Sequence, residues 1–98
     1  MNNFETLISG DKPVLVDFYA DWCRPCQMMA PILEEVKSKI GDQATIVKIN
    51  VDENQTLSAQ YNIQSIPSLL IFKNGQVVWR EVGVQRSTQL LATLKSFV

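Results

Sequence analysis

The chain contains two cysteines and no histidine. Both cysteines lie in "YADWCRPCQMMAP", residues 19–31, where Arg24 and Pro25 separate Cys23 from Cys26. A pair at this spacing can clip a metal, staple a loop, or cycle between dithiol and disulfide. Structural zinc sites draw about four ligands from Cys and His, and iron–sulfur clusters need about four cysteines. A metal would therefore require two chains sharing a site, or carboxylate substitutes, and no metal is expected. Two buried cysteines serving as small hydrophobes are a further reading, but Trp22, Arg24 and Gln27 describe a partly exposed turn. Redox exchange is the chemistry that the spacing fits best.

Exchange needs a thiolate, and a thiolate needs a positive environment. The flanking pattern supplies one. "PVLVDFYA", residues 13–20, is a nearly continuous apolar run, as expected of a central strand covered on both faces. "CQMMAPILEEVKSKIG" follows, with Met29, Leu33, Val36 and Ile40 at helical spacing, Gly41 as its end and Pro31 as a kink inside it. The cysteines thus open a helix, where free N–H groups and the helix dipole favour negative charge. Cys23 is expected to be the more exposed sulfur and to attack, with Cys26 partly covered one turn further in and resolving the mixed disulfide. Pro25 suits the first helical turn, where a missing N–H costs little.

The remaining elements must hold this turn in place. "NNFETLISG" reads as a short helix capped by Asn2 and followed by Gly10. "TIVKINV", residues 45–51, is β-branched and strand-like. "NQTLSAQYN" is at most a short helix. "SLLIFK" and "QVVWREV" flank Asn74-Gly75, a strong hairpin signal. Ser87 is the expected cap of a last helix that turns Leu90, Leu91, Leu94 and Phe97 inward. The order α-β-α-β-α-β-β-α predicts a single α/β domain over residues 1–98. Its strands should be parallel, joined by right-handed helical crossovers, with the final hairpin adding an antiparallel edge.

The formal net charge is −1, and the nine Lys and Arg are scattered. No electrostatic footprint for nucleic acid follows. No apolar run reaches the length of a membrane helix. The first residues lack the pattern of a secretory signal, so a cytoplasmic location is expected, where structural disulfides are disfavoured.

"VLVDFYADWCRPCQMMAPIL" resembles the active-site segment of the thioredoxin family, and "SIPSLLIFKNG" resembles its second hallmark. With "VKINVD" and "EVG", the likeness covers residues 4–98. The resemblance implies a thioredoxin fold and a protein thiol–disulfide oxidoreductase that binds no cofactor. It further implies reduction by an NADPH-dependent thioredoxin reductase and disulfide-containing proteins as substrates. Cys23 matches the attacking and Cys26 the resolving thiol. Asp17 matches the buried aspartate beneath the pair. Its isolation in an apolar strand independently predicts a raised pKa and proton exchange near neutral pH; the alternative is a partly exposed surface acid. Lys48 matches the lysine that accompanies this aspartate, the alternative being a strand lysine with its head in water. Pro67 matches a cis-proline facing the disulfide, and Ile66 would pair through its backbone with an extended substrate chain. Trp22, Arg24, Pro25, Val82 and Gly83 would border that docking surface, although Trp22 also reads as core and Gly83 as a plain turn residue.

Two departures stand out. Family members commonly carry an N-terminal strand before the first helix. Here Met1 to Asn3 alone precede "FETL", so a sheet of about four strands is expected, with residues 45–51 at its edge. A monomer is expected, and pairing of two such edges is the alternative. Two rival activities share the fold: a more oxidising oxidase or isomerase, and a non-catalytic binding module.

The second departure is Arg24, at a position usually occupied by glycine in thioredoxins. A cation about 7 Å from the Cys23 sulfur, at an effective dielectric near 60, stabilises the thiolate by roughly 0.8 kcal/mol. That is about half a pKa unit and, acting on the reduced form, about 17 mV. Arg24→Gly is therefore expected to raise the Cys23 pKa by that half unit and lower the reduction potential by that amount. Thiolate absorbance against pH and equilibration in thiol buffers measure both, and no movement in either contradicts the reading.

Overall fold

The strand Val14–Tyr19 (β1) occupies the middle of a four-stranded sheet because it has apolar side chains for both faces. The computed structural model of the protein describes residues 3–98, so the expected cap Asn2 lies outside the described residues. The elements in chain order are α1 (Asn3–Ile8), β1, α2 (Arg24–Ile40), β2 (Thr45–Asn50), α3 (Gln55–Gln60), β3 (Ser68–Lys73), β4 (Gln76–Val82) and α4 (Ser87–Lys95). A 3₁₀ turn over Gly41–Gln43, which the sequence did not announce, joins α2 to β2. The sheet order is β2-β1-β3-β4, with β2 at the edge as expected. β1 pairs parallel with β2, setting Asp17 opposite Lys48, and antiparallel with β3, setting Asp17 opposite Leu69.

Alternation along the strands divides the core in two. Leu15, Leu69 and Ile71 face α2 and α4, where they meet Met29, Leu33, Val36, Ile40, Leu90 and Leu94. Val14, Val16, Phe18, Leu70 and Phe72 face the other way and pack on Phe4 and Ile8 of α1. There the rings of Phe4 and Tyr61 both meet Phe72 edge-on, at centroid distances of 5.4 and 5.2 Å. The expected inward face of α4 is present, with Leu90 and Leu94 buried and Leu91 and Phe97 packed beside them.

The expectation of parallel strands up to the hairpin is corrected at β3, which runs antiparallel to β1. Helix length explains the difference. The 17 residues of α2 climb about 25 Å, enough to carry the chain back along a strand of roughly 20 Å. The six residues of α3 climb about 9 Å and cannot. The chain therefore enters β3 at the end of the sheet where β2 left it. β4 then returns antiparallel to β3, so Val82 lies opposite Ser68. Three segments meet at one end of the sheet in consequence: the turn after β1, the residues before β3 and the residues after β4.

Asn74 and Gly75 both have positive φ, 55° and 80°, as a tight two-residue hairpin turn requires. The other local correction is at Ser87. It is the first residue of α4 rather than its cap; Arg86 holds the cap position and no side chain caps the helix. The Ser87 hydroxyl, after the larger contributions of the hydrogen bond and charge of Lys39, helps hold the Glu35 carboxyl on α2 below its ordinary range. α2 runs on through Pro31, whose missing N–H deprives the Gln27 carbonyl of its helical donor.

Candidate active site

Helix α2 begins directly above the end of β1, and Cys23 is its N-cap. The Cys23 backbone is extended (φ −89°, ψ 111°), and its sulfur accepts a hydrogen bond from the Cys26 backbone N–H at 3.2 Å. A sulfur here takes the place that a Ser or Asp oxygen takes in ordinary caps. Pro25 lies in the first turn, where an N–H is expendable. Cys23 and Cys26 are joined as a disulfide, with Cα atoms 5.2 Å apart.

In this oxidised form Cys23 is only marginally the more exposed, at 5% against 3% for Cys26, so the expected contrast between an open and a covered sulfur is corrected. Ala20 and the two cysteines form a small cluster that Tyr19, Val51 and Ile66 cover. The Ile66 carbonyl oxygen lies 3.8 Å from the Cys23 sulfur. A disulfide sulfur carries no hydrogen, so this is a packing contact. It exists because β3 runs antiparallel and starts beside the cysteine turn. The Ile66–Pro67 bond is cis, and Pro67 is buried. Its carbonyl accepts from the Gly83 N–H at 2.8 Å. Gly83 has φ 95°, a conformation that residues with a side chain rarely adopt. Val82, half exposed, stands next to it.

Trp22 is not core; it is 70% exposed. Its ring is nevertheless tethered, because the indole Nε1–H donates to Asp52 Oδ2 at 2.8 Å. The Asp52 N–H in turn donates to Asn50 Oδ1 at 2.8 Å. Sequence reasoning missed Asp52. The signal that could have found it is the parallel register: Tyr19 lies opposite Asn50, so the turns that follow both strands overhang the sheet side by side.

Asp17 is fully buried, and neither of its carboxylate oxygens has a hydrogen-bond partner among the described residues. It is not a surface acid. Burial raises its pKa to about 6, with the charge of Lys48 pulling the other way. By alternation Asp17 shares the face of Leu15, the one that α2 covers. Lys48, its neighbour in register, is exposed and makes no ion pair with it. The Lys48 amine instead lies 4.5 Å from the centre of the Tyr19 ring. Lys48, Tyr19, Asp21 and Cys26 line one pocket of about 200 Å³, which brings the lysine and the inner cysteine to a common space. A larger hollow of about 540 Å³, bordered by Phe4, Leu7, Ile49 and Leu57, shares no residue with the cysteine turn. Arg24 is exposed beside Cys23. Among the described residues, no cluster of three or more His, Cys, Asp or Glu could hold a metal.

A capped cysteine pair at a strand-to-helix turn, faced by a cis-proline segment, invites comparison with known proteins. The thioredoxin family model matches residues 1–96. The chain belongs to the thioredoxin family. It is 54% identical over 97 residues to a thioredoxin-like protein of Synechocystis, covering 98% of this chain and 92% of that protein. It is 52% identical over 92 residues to the thioredoxin of Alicyclobacillus acidocaldarius, covering 94% and 88%. Among solved structures, a thioredoxin variant from Halobacterium salinarum superposes with a TM-score of 0.87 at 38% identity, over 96% of this chain and 81% of that one. The expected fold holds: a four-stranded mixed sheet flanked by helices. Like its thioredoxin relatives, the chain reduces protein disulfides, and its redox-active group is the Cys23–Cys26 disulfide.

The buried acid gives a pH signature. Asp17 has a folded pKa of about 6 against the ordinary 3.8, so ionising it opposes folding. The destabilisation is absent below about pH 4, grows as pH rises, and levels off above about pH 6 at roughly 3 kcal/mol. Asp17→Asn removes the titration. The stability difference, variant minus wild type, should rise by roughly 2 kcal/mol between pH 4 and 7 when oxidised proteins are unfolded in urea. A difference that does not vary with pH contradicts the buried, titrating acid.

Proposed function

We propose that residues 1–98 act as one domain and a monomer in which Cys23 is the nucleophile and Cys26 the resolving thiol. The observation that carries this reading is the Cys26 N–H aimed at the Cys23 sulfur. A helix N-terminus that donates to a sulfur favours its anionic form. In the reduced protein the Cys23 thiolate attacks a substrate disulfide, forming a mixed disulfide and releasing one substrate thiolate. Cys26 then loses its proton and attacks the Cys23 sulfur, releasing the second thiolate and closing the Cys23–Cys26 disulfide. Two electrons pass from the pair to the substrate, and the substrate sulfurs take up two protons.

Asp17 takes the Cys26 proton. Its pKa of about 6 keeps it largely ionised at neutral pH yet close enough to share a proton. Lys48 modulates Asp17 by charge alone. The substrate chain docks on Trp22, Arg24, Pro25, Ile66, Pro67, Val82 and Gly83, with the backbone at Ile66 offering pairing and Trp22 an apolar wall. A surface read mainly through backbone suits many protein partners.

The oxidised pair must be reduced again. The electron donor is an NADPH-dependent thioredoxin reductase. A Mycobacterium leprae protein named bifunctional thioredoxin reductase/thioredoxin supports this, being 43% identical over 95 residues, which cover 97% of this chain and 21% of that protein. The working compartment is the cytoplasm, where such a reductant keeps thiols reduced. Among the described residues no helix is long and apolar enough to cross a membrane. Lys48, exposed on the edge strand β2, disfavours strand pairing between chains.

Variants separate the two sulfurs. Cys26→Ser should still attack substrate and should accumulate a mixed disulfide, visible as a slower band on non-reducing gels and dispersed by dithiothreitol. Cys23→Ser should form no such adduct and lose turnover. Adducts formed instead by Cys23→Ser would invert the assignment.

A further inference from the structure

Arg24 stands directly after Cys23, opens α2 and is exposed. The one ion pair among the described residues, Lys39–Glu35, lies farther along the same helix. The Arg24 side chain makes no ion pair, hydrogen bond or ring contact with those residues. Asp52 and Lys48 at this end of the sheet are engaged by neighbouring rings, whereas Asp21, Glu81 and Arg86 are exposed and make no ion pair among the described residues. Asp52 accepts from Trp22. Lys48 lies over the Tyr19 ring. Asp21 borders the pocket of Lys48 and Cys26, which Arg24 does not line. The Ile66 carbonyl lies against the Cys23 sulfur, and Val82 stands opposite Ser68 at the start of β3; both side chains are uncharged. A substrate chain approaching Cys23 therefore meets apolar side chains, backbone groups and, one residue from the sulfur, the unpaired cation of Arg24.

We propose that Arg24 selects among protein disulfides, favouring those with a carboxylate side chain beside the cysteine that Cys23 attacks. The inference rests on the assignment of Cys23 as nucleophile and deepens it by naming a substrate class. During attack the two sulfurs come within bonding distance, so the target's flanking side chains come within reach of a guanidinium one residue from Cys23. At about 7 Å and an effective dielectric near 60, opposite unit charges favour the acidic partner roughly four-fold. A rim interaction of this kind is screened by salt, with a Debye length of about 8 Å at physiological ionic strength. This contribution falls on the partner, in addition to any effect of Arg24 on the sulfur, so it appears in the ratio between substrates.

Three peptides test this, each with the same disulfide loop and with Glu, Gln or Lys beside the target cysteine. Pre-reduced protein reacts with each under excess peptide, and the released thiols give the rates. Neighbouring charge also changes a peptide's own reactivity. The informative quantity is thus the Glu-to-Gln rate ratio in wild type divided by the same ratio in Arg24→Gly. Changes in the Cys23 thiolate cancel in that quotient. The expected quotient is about four at low salt, falling toward one in 0.5 M salt. Arg24→Lys should restore most of it, and Arg24→Glu should favour the Lys peptide. A quotient of one at low salt, with all three peptides reduced, overturns the proposal and leaves the Cys23 assignment standing. Failure of the wild type to reduce any peptide overturns the assignment on which the proposal rests.

Discussion

The hydrogen bond from the Cys26 N–H to the Cys23 sulfur, 3.2 Å long, is the interaction around which the molecule is arranged. It demands that a helix begin at the sulfur and nowhere else. The start of α2 is fixed from below by Met29, Leu33, Val36 and Ile40, which lock the helix onto Leu15, Leu69 and Ile71. That packing requires a sheet apolar on the α2 face, and α1 with Phe4 and Ile8 must seal the opposite face. The position of one sulfur is thus set by two buried hydrophobic layers. The exception within those layers is Asp17, whose unpartnered carboxyl sits where an apolar side chain would stabilise the fold more.

Direction of travel is the second constraint. Because α3 is too short to reverse the chain, β3 starts at the end of the sheet where β1 stops. Ile66 and Pro67 then face the cysteine turn, and the Gly83 N–H locks onto the Pro67 carbonyl at 2.8 Å. With β3 parallel, the proline segment would lie at the far end of the sheet, about 20 Å away. The disulfide and the cis-proline segment would then occupy opposite ends of the sheet.

Much of this was legible in residue order. The apolar run around Asp17, the helical spacing after Cys26 and the Asn74-Gly75 turn each carry a local signal, and each element formed as read. The motif around Cys23 and the "SIPSLLIFKNG" stretch pointed to the family. What the sequence did not yield depends on relations between distant segments. The direction of β3 follows from helix length rather than from composition. The tether of Trp22 to Asp52 depends on strand register. Ser87 has the residue type of a cap, but the helix already includes it, with Arg86 in the cap position. The near-equal burial of the two cysteines reflects Ile66 arriving from a segment 43 residues away.

The central claim is that this pair gives electrons to its partners. The reduction potential of Cys23–Cys26 tests it most directly. The protein would be equilibrated in defined thiol buffers, quenched by alkylation and read by mass. The account predicts a value near the roughly −270 mV typical of thioredoxin, displaced slightly upward by Arg24. A value above about −200 mV, in the range of isomerases and oxidases, would contradict it and reverse the direction of electron flow.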